Sequence, residues 1–326
     1  MCQQINFMVA IATIFSLGLL SLISYFAWSW PLELITHFRY QYLIISLLVS
    51  IILFILWKFR HFQHKILFFI AVLLIGINLV DVLPWYLSNS HQVTGNTNEI
   101  LRVLSFNINI QNDQYNDIIN LIEDNQPDIA LLLEINANSF EIIQPQLQAN
   151  LPYSFRSPGG GLALFSRFPI QDARADNFNK QAKHNLVATL EIGQRQITFI
   201  GTHPLIPIKP VTFHSRNFQL AAITEYIQGL NQPLIVAGDF NLTPWSPYYR
   251  RFVNKTKLHN SRLGFGILPS WPRTATHINL PHWLIPLMNI PIDHCFVSKH
   301  FQVAETYTGD HANYDHAALI TDLVLR

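Results

Sequence analysis

Residues 234–241 read Leu-Ile-Val-Ala-Gly-Asp-Phe-Asn. The continuous apolar run predicts a buried strand over 234–237, and the strand ends abruptly at a carboxylate, Asp239, with the amide Asn241 two residues on. The same change recurs along the chain. Leu-Ser-Phe ends at Asn107, Ile-Ala-Leu-Leu-Leu at Glu134, Phe-Ile-Gly-Thr at His203, and Pro-Ile at Asp293 and His294. The last apolar strand starts directly after Asp315 and His316. A lone Asn or Asp in such a place is usually a turn residue or a helix cap. Glu134 is harder to dismiss, because an unpaired carboxylate behind five apolar residues is costly to bury and needs a partner or a metal. Strand ends that gather at one sheet edge would bring all of these groups into one pocket.

Around these points, residues 100–326 alternate short apolar runs with amphipathic ones. Strands are predicted over 101–108, 129–133, 162–165, 186–192, 197–202, 234–237, 295–297, 302–306 and 317–324, with Gly193 as a hairpin turn. Helices are predicted over 113–124, capped by Asp113, and over 213–228, with Leu220, Ile223 and Ile227 on one face. One sheet does not easily bury about ten strands; two packed sheets with helices on their outer faces do.

The first 87 residues are different. The whole chain of 326 residues is 50% hydrophobic and 13% charged, whereas soluble domains are nearer a quarter charged. Apolar runs cover 7–28, 42–57 and 66–87, against a need of about 20 residues to cross a bilayer and about 17 at the short end. Tyr40 and Gln41 extend the middle run at the interface, and Trp85 and Tyr86 suit an aromatic belt. Three transmembrane helices are therefore expected. A cleaved signal peptide fits the first run poorly, since no Lys or Arg precedes it and no small-residue cleavage site follows. Buried core helices fit poorly too, because Leu, Ile and Phe occupy every face. Lys58, Arg60 and Lys65 lie between the second and third runs, against Arg39 and Glu33 between the first and second. Positive loops stay cytoplasmic, which puts everything after residue 87 outside. The expected organisation is a membrane anchor over 1–87, a polar linker over 88–99 and a catalytic domain over 100–326. The protein is expected to be integral to the cytoplasmic (inner) membrane, with that domain facing the periplasm or the extracellular side.

Composition narrows the chemistry. The first 87 residues hold four Lys/Arg and two Asp/Glu, leaving 17 and 18 for the remainder and a formal charge of −1 there. Such a domain has no broad basic field with which to gather nucleic acid. Cys2 and Cys295 make neither a metal-binding spacing nor a disulfide framework. No Gly-x-Ser-x-Gly elbow and no Gly-rich phosphate loop ending in Lys is present. Pro158-Gly159-Gly160-Gly161 reads as a flexible loop that turns the chain or lets backbone approach the pocket.

Ser105-Phe106-Asn107, Leu133-Glu134, Ala163-Leu164-Phe165-Ser166-Arg167, Gly201-Thr202-His203, Gly238-Asp239-Phe240-Asn241, Ile292-Asp293-His294 and Tyr314-Asp315-His316 follow one another through residues 101–326. In order and wording they resemble the endonuclease/exonuclease/phosphatase superfamily, whose members include DNase I-like nucleases, sphingomyelinases and inositol polyphosphate 5-phosphatases. The resemblance implies an α/β fold, a four-layer αββα sandwich (DNase I-like), and a metal-dependent phosphodiester or phosphomonoester hydrolase. By resemblance, Asn107 and Glu134, with Asp315 nearby, hold Mg²⁺ or Mn²⁺, a hard cation suited to oxygen ligands. Asp239 orients or deprotonates the attacking water, and Asn241 donates to the phosphoryl oxygens. His316 sits on the phosphate side opposite the metal, as base or electrostatic partner, with its tautomer fixed by Asp293. His203 contacts the phosphate or protonates the leaving group. Arg167 is either a phosphate contact or a structural clamp. His294 is expected to be structural. Leu133 stands where relatives often have Gln, and Tyr314 where Ser is commoner. A second pair, Asp310-His311, precedes Asp315-His316, which is preferred because the closing strand follows it directly.

Phosphoester chemistry is shared across the family, so fold does not choose the substrate. Residues 264–290, with Trp271, Trp283 and several prolines, form an apolar insertion that lines the pocket, rests on a bilayer, or packs as ordinary core. Three functions follow: a phosphodiesterase or phosphatase acting on lipid headgroups or small phosphoesters at the membrane, an extracytoplasmic nuclease on DNA or RNA, and an inactive membrane-bound binding module. No protein partner is inferable.

Overall fold

The computed structural model describes residues 2–59, 65–87, 100–178, 185–274, 276, 281–309 and 314–326. The expected linker, most of the basic loop and the Asp310-His311 pair lie outside the described residues. Four helices come first: α1 (Cys2–Ile23), α2 (Trp30–Thr36), α3 (Arg39–Lys58) and α4 (Lys65–Val82), the last running into a 3-10 turn at Leu83–Trp85. Then follow β1 (Ile100–Asn107), α5 (Tyr115–Asn125), β2 (Ile129–Leu133), α6 (Ala137–Leu147), β3 (Tyr153–Ser157), β4 (Leu162–Ser166), β5 (Ile170–Asp176), β6 (Asn185–Ile192) and β7 (Arg195–Thr202). The chain closes with α7 (Pro210–Gln228), β8 (Leu234–Asp239), α8 (Pro247–Thr256), β9 (His259–Asn260), α9 (Ile285–Met288), β10 (Asp293–Val297), β11 (Phe301–Gly309) and β12 (Ala318–Leu325).

The strands form two mixed six-stranded sheets, ordered β11-β12-β1-β2-β4-β3 and β5-β6-β7-β8-β10-β9. Each has a central parallel pair, β1 with β2 and β7 with β8. Antiparallel neighbours enter at the same edge: β10 starts where β8 ends, Asp293 opposite Asp239, and β12 starts beside the end of β1. Alternation along the strands builds the layers. Leu101, Val103, Ile129 and Leu131 of the first sheet pack on Phe199, Ile235, Ala237 and Cys295 of the second. The intervening Leu104, Phe106, Ala130 and Leu132 pack on α5 and α6. Ile200, Val236 and Phe296 pack on α7 and α8. This is the expected four-layer, DNase I-like sandwich.

The N-terminal region departs from expectation. Among the described residues, two helices rather than three are long and apolar enough to cross a membrane, Arg39–Lys58 and Lys65–Trp85. The remaining one, within α1, is apolar over Phe7–Ile23, a shorter stretch. Helix α5 also differs, being capped at Gln114 with no side-chain bond instead of by Asp113.

Candidate active site

Asn107, His203, Asp239 and Asp293 continue, two residues at a time, the faces that carry Val103, Phe199, Ala237 and Cys295 into the inter-sheet core. At the open edge of the sandwich the same face turns from apolar to polar, which is how distant segments meet. Their focus is the Asp239 carboxylate, 2% exposed. Its Oδ1 accepts the Asn241 N–H at 2.8 Å. Its Oδ2 lies 3.4 Å from Asn107 Nδ2, 3.5 Å from His203 Nε2, 3.5 Å from Asn241 Nδ2 and 3.8 Å from His316 Nε2. Glu134 stands at the wetter side, its Oε1 accepting from Asn107 Nδ2 at 3.0 Å and lying 3.8 Å from His203 Nε2. Its Oε2 accepts the Ile110 N–H at 3.1 Å.

On the buried side, His316 Nδ1 is 2.8 Å from Asp293 Oδ2. A carboxylate only accepts, so Nδ1 carries the proton and Nε2 faces Asp239. Burial alone would lower the His316 pKa, but the Asp293 and Asp239 carboxylates outweigh it and hold the imidazole above its usual range. Burial and then the Asp293 charge push Asp239 upward. Asp293 is held low because His316 overcomes its burial.

Two non-glycine residues here adopt left-handed backbone, Glu134 at φ 60° and Asn241 at φ 48°. Such conformations cost about 1–3 kcal/mol and persist where the surroundings over-determine them. For Glu134 the surroundings are the Gly159–Gly161 loop. Gly161, itself at φ +63°, would bring a Cβ within 3.8 Å of Glu134 Cα, and its carbonyl accepts the Ile135 N–H at 3.1 Å. The loop lines a cleft of about 630 Å³ with Glu134, His203, Asp239, Asn241, Asp315 and His316. Trp271 and Thr276 of the apolar insertion line it too, and the Trp271 ring is 6.4 Å from that of His316.

Arg167 is not brought to this cleft. Ser166 pairs with Ile129 at the start of β2, whereas Leu133, next to Glu134, pairs with Leu162. Arg167 thus sits a strand length away, about 15 Å by the usual rise per residue. It pairs with Asp128 at 3.0 Å. His294 alternates to the helix side, with Nδ1 2.9 Å from Asn260 Nδ2 and Nε2 2.8 Å from the Leu242 carbonyl. Burial and then Arg262 push its pKa down to about 3, so it is a neutral structural residue.

Sequence reasoning missed Arg216 and Arg262, both fully buried. Arg216 Nη1 donates to the Asn241 carbonyl at 2.8 Å. Arg262, pushed down to about 10 chiefly by burial, places positive charge near Asp293. A signal existed for Arg216: it falls at helical spacing within the apolar stripe Phe213, Leu220, Ile223 and Ile227.

The donor set is rich in oxygen. Glu134, Asp239, Asp293 and Asp315 crowd around two imidazoles, a surplus of negative charge that suits a hard cation. The ligand atoms of Asp239, Asp293 and His316 all lie within 4.8 Å of one another, close enough to hold a metal ion.

The fold is shared with solved structures. A functionally unknown conserved protein from Enterococcus faecalis V583 aligns with TM-score 0.56 and 15% identity, covering 69% of this chain and 100% of that one. An endonuclease/exonuclease/phosphatase from Bacteroides vulgatus aligns with TM-score 0.55 and 17% identity over 70% and 100%. The catalytic domain of human Nocturnin, solved with a bound sulfate anion, aligns with TM-score 0.54 and 22% identity over 70% and 95%. Among curated proteins none matches the sequence. Residues 104–318 match the Endonuclease/Exonuclease/phosphatase family, and with the Asp–His cluster at the edge of a two-sheet sandwich, the chain belongs to that family.

Proposed function

We propose that the protein is a Mg²⁺- or Mn²⁺-dependent phosphoester hydrolase, most readily a phosphodiesterase, working at the outer face of a membrane. The observation that carries the reading is the convergence on Asp239 Oδ2 of side chains from Asn107, His203, Asn241 and His316 within 3.8 Å. Glu134 and Asn107, with Asp315, would hold the cation. The Asp239–Asp293–His316 cluster is the less favourable seat, because a cation there competes with the 2.8 Å bond between His316 and Asp293. A bound divalent ion supplies positive charge against the charge that gathers on the phosphoryl oxygens. Asp239 orients the attacking water and takes its proton. Asn241 and His203 donate to the phosphoryl oxygens, and His316, fixed by Asp293, stabilises the same group from the buried side. The sulfate anion of the Nocturnin structure is a tetrahedral oxyanion of the kind such a site would bind.

Lipid-borne or small phosphoesters fit better than nucleic acid. No Lys or Arg lines the cleft among the described residues, whereas nucleic-acid binding draws on phosphate neutralisation. Leu205, Ile206 and Trp271 wall the cleft, and Ile206, Ile208 and Val211 after β7, with Trp283 and Leu287 of the insertion, are exposed. Both apolar stretches are tied to the N-terminal helices, through Trp30 Nε1 to the Pro207 carbonyl at 2.9 Å and Gln41 Nε2 to the Asn289 carbonyl at 3.0 Å. Purified protein with Mn²⁺ or Mg²⁺ is expected to cleave phospholipid vesicles and a bis-aryl phosphate faster than plasmid DNA. Glu134→Ala is expected to lower turnover at least about 100-fold and to raise the metal concentration needed. Absence of metal-dependent turnover on all three substrates would sink the assignment.

The membrane reading rests on where the apolar surface lies. Only 22% and 28% of the most apolar stretches of the two long helices are buried, unlike core helices of a soluble protein. Between the helices sit Ser21, Ser46 and Asn78, with Asn78 Nδ2 donating to Ser21 Oγ at 3.0 Å, the sort of polar contact that joins helices in lipid. The anchor over 1–87 is proposed to hold the domain over 100–326 outside the cytoplasm. A C-terminal reporter that folds only outside is expected to be active and a cytoplasm-dependent one silent; the opposite pattern would rule this orientation out.

A further inference from the structure

Glu33 is the only carboxylate in the first 80 residues, and it is fully buried in α2, away from the apolar stretches. Its Oε1 lies 3.1 Å from Nη2 of Arg216, also fully buried, and its Oε2 lies 3.3 Å from His37 Nε2. Burial opposes ionisation of Glu33, but His37 and then Arg216 outweigh it, pulling its pKa down to about 2. Arg216 spends its other arm on the Asn241 carbonyl at 2.8 Å. The far nitrogen of His37 is 2.9 Å from Thr243 Oγ1, two residues further on. Asn241 in turn donates its backbone N–H to Asp239 and its side-chain amide to the Pro204 carbonyl at 3.0 Å. Trp30 of the same short helix binds the Pro207 carbonyl at 2.9 Å. Helix α2 therefore grips both segments that leave the parallel pair at the candidate site, 204–207 after β7 and 241–243 after β8.

We infer that α2 is a working part of the hydrolytic site, with Glu33 a positioning residue that holds Asn241 and Asp239 through Arg216. The inference rests on the proposed function for its catalytic meaning, because it assigns Asn241 to the substrate side. An arginine cannot stay charged in a dry interior without a counter-charge. Without Glu33, Arg216 would be drawn toward water and would release the Asn241 carbonyl, and left-handed backbone at Asn241 would lose the support that keeps it. The N-terminal segment thus does more than tether: it completes the geometry of the strand ends.

The test uses the full chain in detergent, with a bis-aryl phosphate and Mn²⁺. Glu33→Gln, nearly isosteric, is expected to lower kcat about 10–100-fold with KM nearly unchanged, the loss that a shift of about 1 Å at the reacting groups brings. Arg216→Met should match it, and the double variant should be no worse than the more damaged single one, since both act along one path. A second readout needs no substrate: in ¹⁵N-asparagine-labelled protein, the Asn241 amide, assigned by its loss in Asn241→Asp, should move in Glu33→Gln. An unmoved amide, or kcat within twofold of the parent, overturns the inference. If the parent cleaves no phosphoester, the proposed function falls while the amide shift still decides the coupling. If Glu33→Gln does not fold, Trp30→Phe, which loses only the bond to Pro207, is expected to cut kcat about fivefold, as one hydrogen bond would; unchanged turnover there counts against α2 equally.

Discussion

His316→Ala is expected to lower kcat for phosphoester hydrolysis by about 10³-fold, the upper end for losing a preorganised donor to the charge of the transition state, with KM changed far less. The expectation follows from position. His316 is 5% exposed, its Nδ1–H is fixed by Asp293 at 2.8 Å, and its Nε2 points at the Asp239 oxygen that other groups also approach. An alanine there removes the donor that faces Asp239 and leaves Asp293 Oδ2 without its imidazole partner. Asp293→Ala should fall nearly as far, because Asp293 acts through the imidazole. The double variant should then show little additional loss, as residues that work as one unit do. Additive losses would mean that Asp293 has a separate role, and a His316→Ala enzyme with a tenth of parental kcat would remove His316 from the chemistry.

The same pair fixes a pH dependence in the metal-free protein. The His316 pKa is raised above 6.5 by Asp293, against the effect of burial. A raised histidine contributes stability that is fully present below its unfolded value and is lost as pH climbs through the folded one. Asp239, raised by burial and Asp293, binds a proton more tightly folded than unfolded, so it too favours the native state less as pH rises. Both slopes have the same sign above pH 6.5. The melting temperature of the chelated protein should therefore decline from near-neutral to alkaline pH, and His316→Ala should flatten that decline.

How far the sequence carried can be traced residue by residue. The strand ends were legible because an apolar run that stops at Asn107, Glu134 or Asp239 has only one economical explanation once several occur together. The sheet order was not, since β1 pairs with β12 across more than two hundred residues of chain. Strands β3 and β5 escaped notice because edge strands such as Ile-Gln-Asp-Ala-Arg-Ala-Asp are half wet and carry no apolar run. Helix α6 was hidden by its internal Pro145. Arg167 stays open in the sequence between phosphate contact and clamp, because only the pairing of Ser166 with Ile129 puts it at the far end of β4 from Glu134. Glu33 looked like a loop charge between apolar runs. Only the packed structure sets it against Arg216, because nothing in local spacing links residues 33 and 216.

Gly238→Ala is expected to cost more stability than alanine at Gly193, Gly201 or Gly309, and to abolish turnover as well. Gly238 pairs with Thr202 where β7 and β8 run parallel, at φ +142°, and a Cβ would fall 1.9 Å from the Thr202 carbonyl oxygen. That atom is backbone in the middle of a buried parallel pair, so it cannot swing aside as a side-chain tip would. At Gly201 and Gly309 the nearest obstacles are the side-chain tips of Leu131 and Ile320, which can give. At Gly238 the chain must either open the pair or change φ. An outlying backbone conformation costs about 1–3 kcal/mol and overpacking a further 1–3 kcal/mol, so a loss on the order of 4 kcal/mol and a melting point lower by about 10 °C are expected. The functional penalty arises next door. Asp239 follows Gly238 directly, so any rotation that relieves the clash turns its carboxylate away from Asn107, His203 and His316. A displacement of about 1 Å there is worth about 100-fold. Gly193 provides the control: it has φ +61° but nothing within 4 Å of a built Cβ, so Gly193→Asn should cost only a few tenths of a kcal/mol, asparagine tolerating the left-handed region. Thermal melts and kcat on the two variants separate the readings. If Gly238→Ala melts like the parent and turns over normally, then β7 and β8 are not paired at Thr202 and Gly238, and the carboxylate that organises the site is not held where the structure puts it.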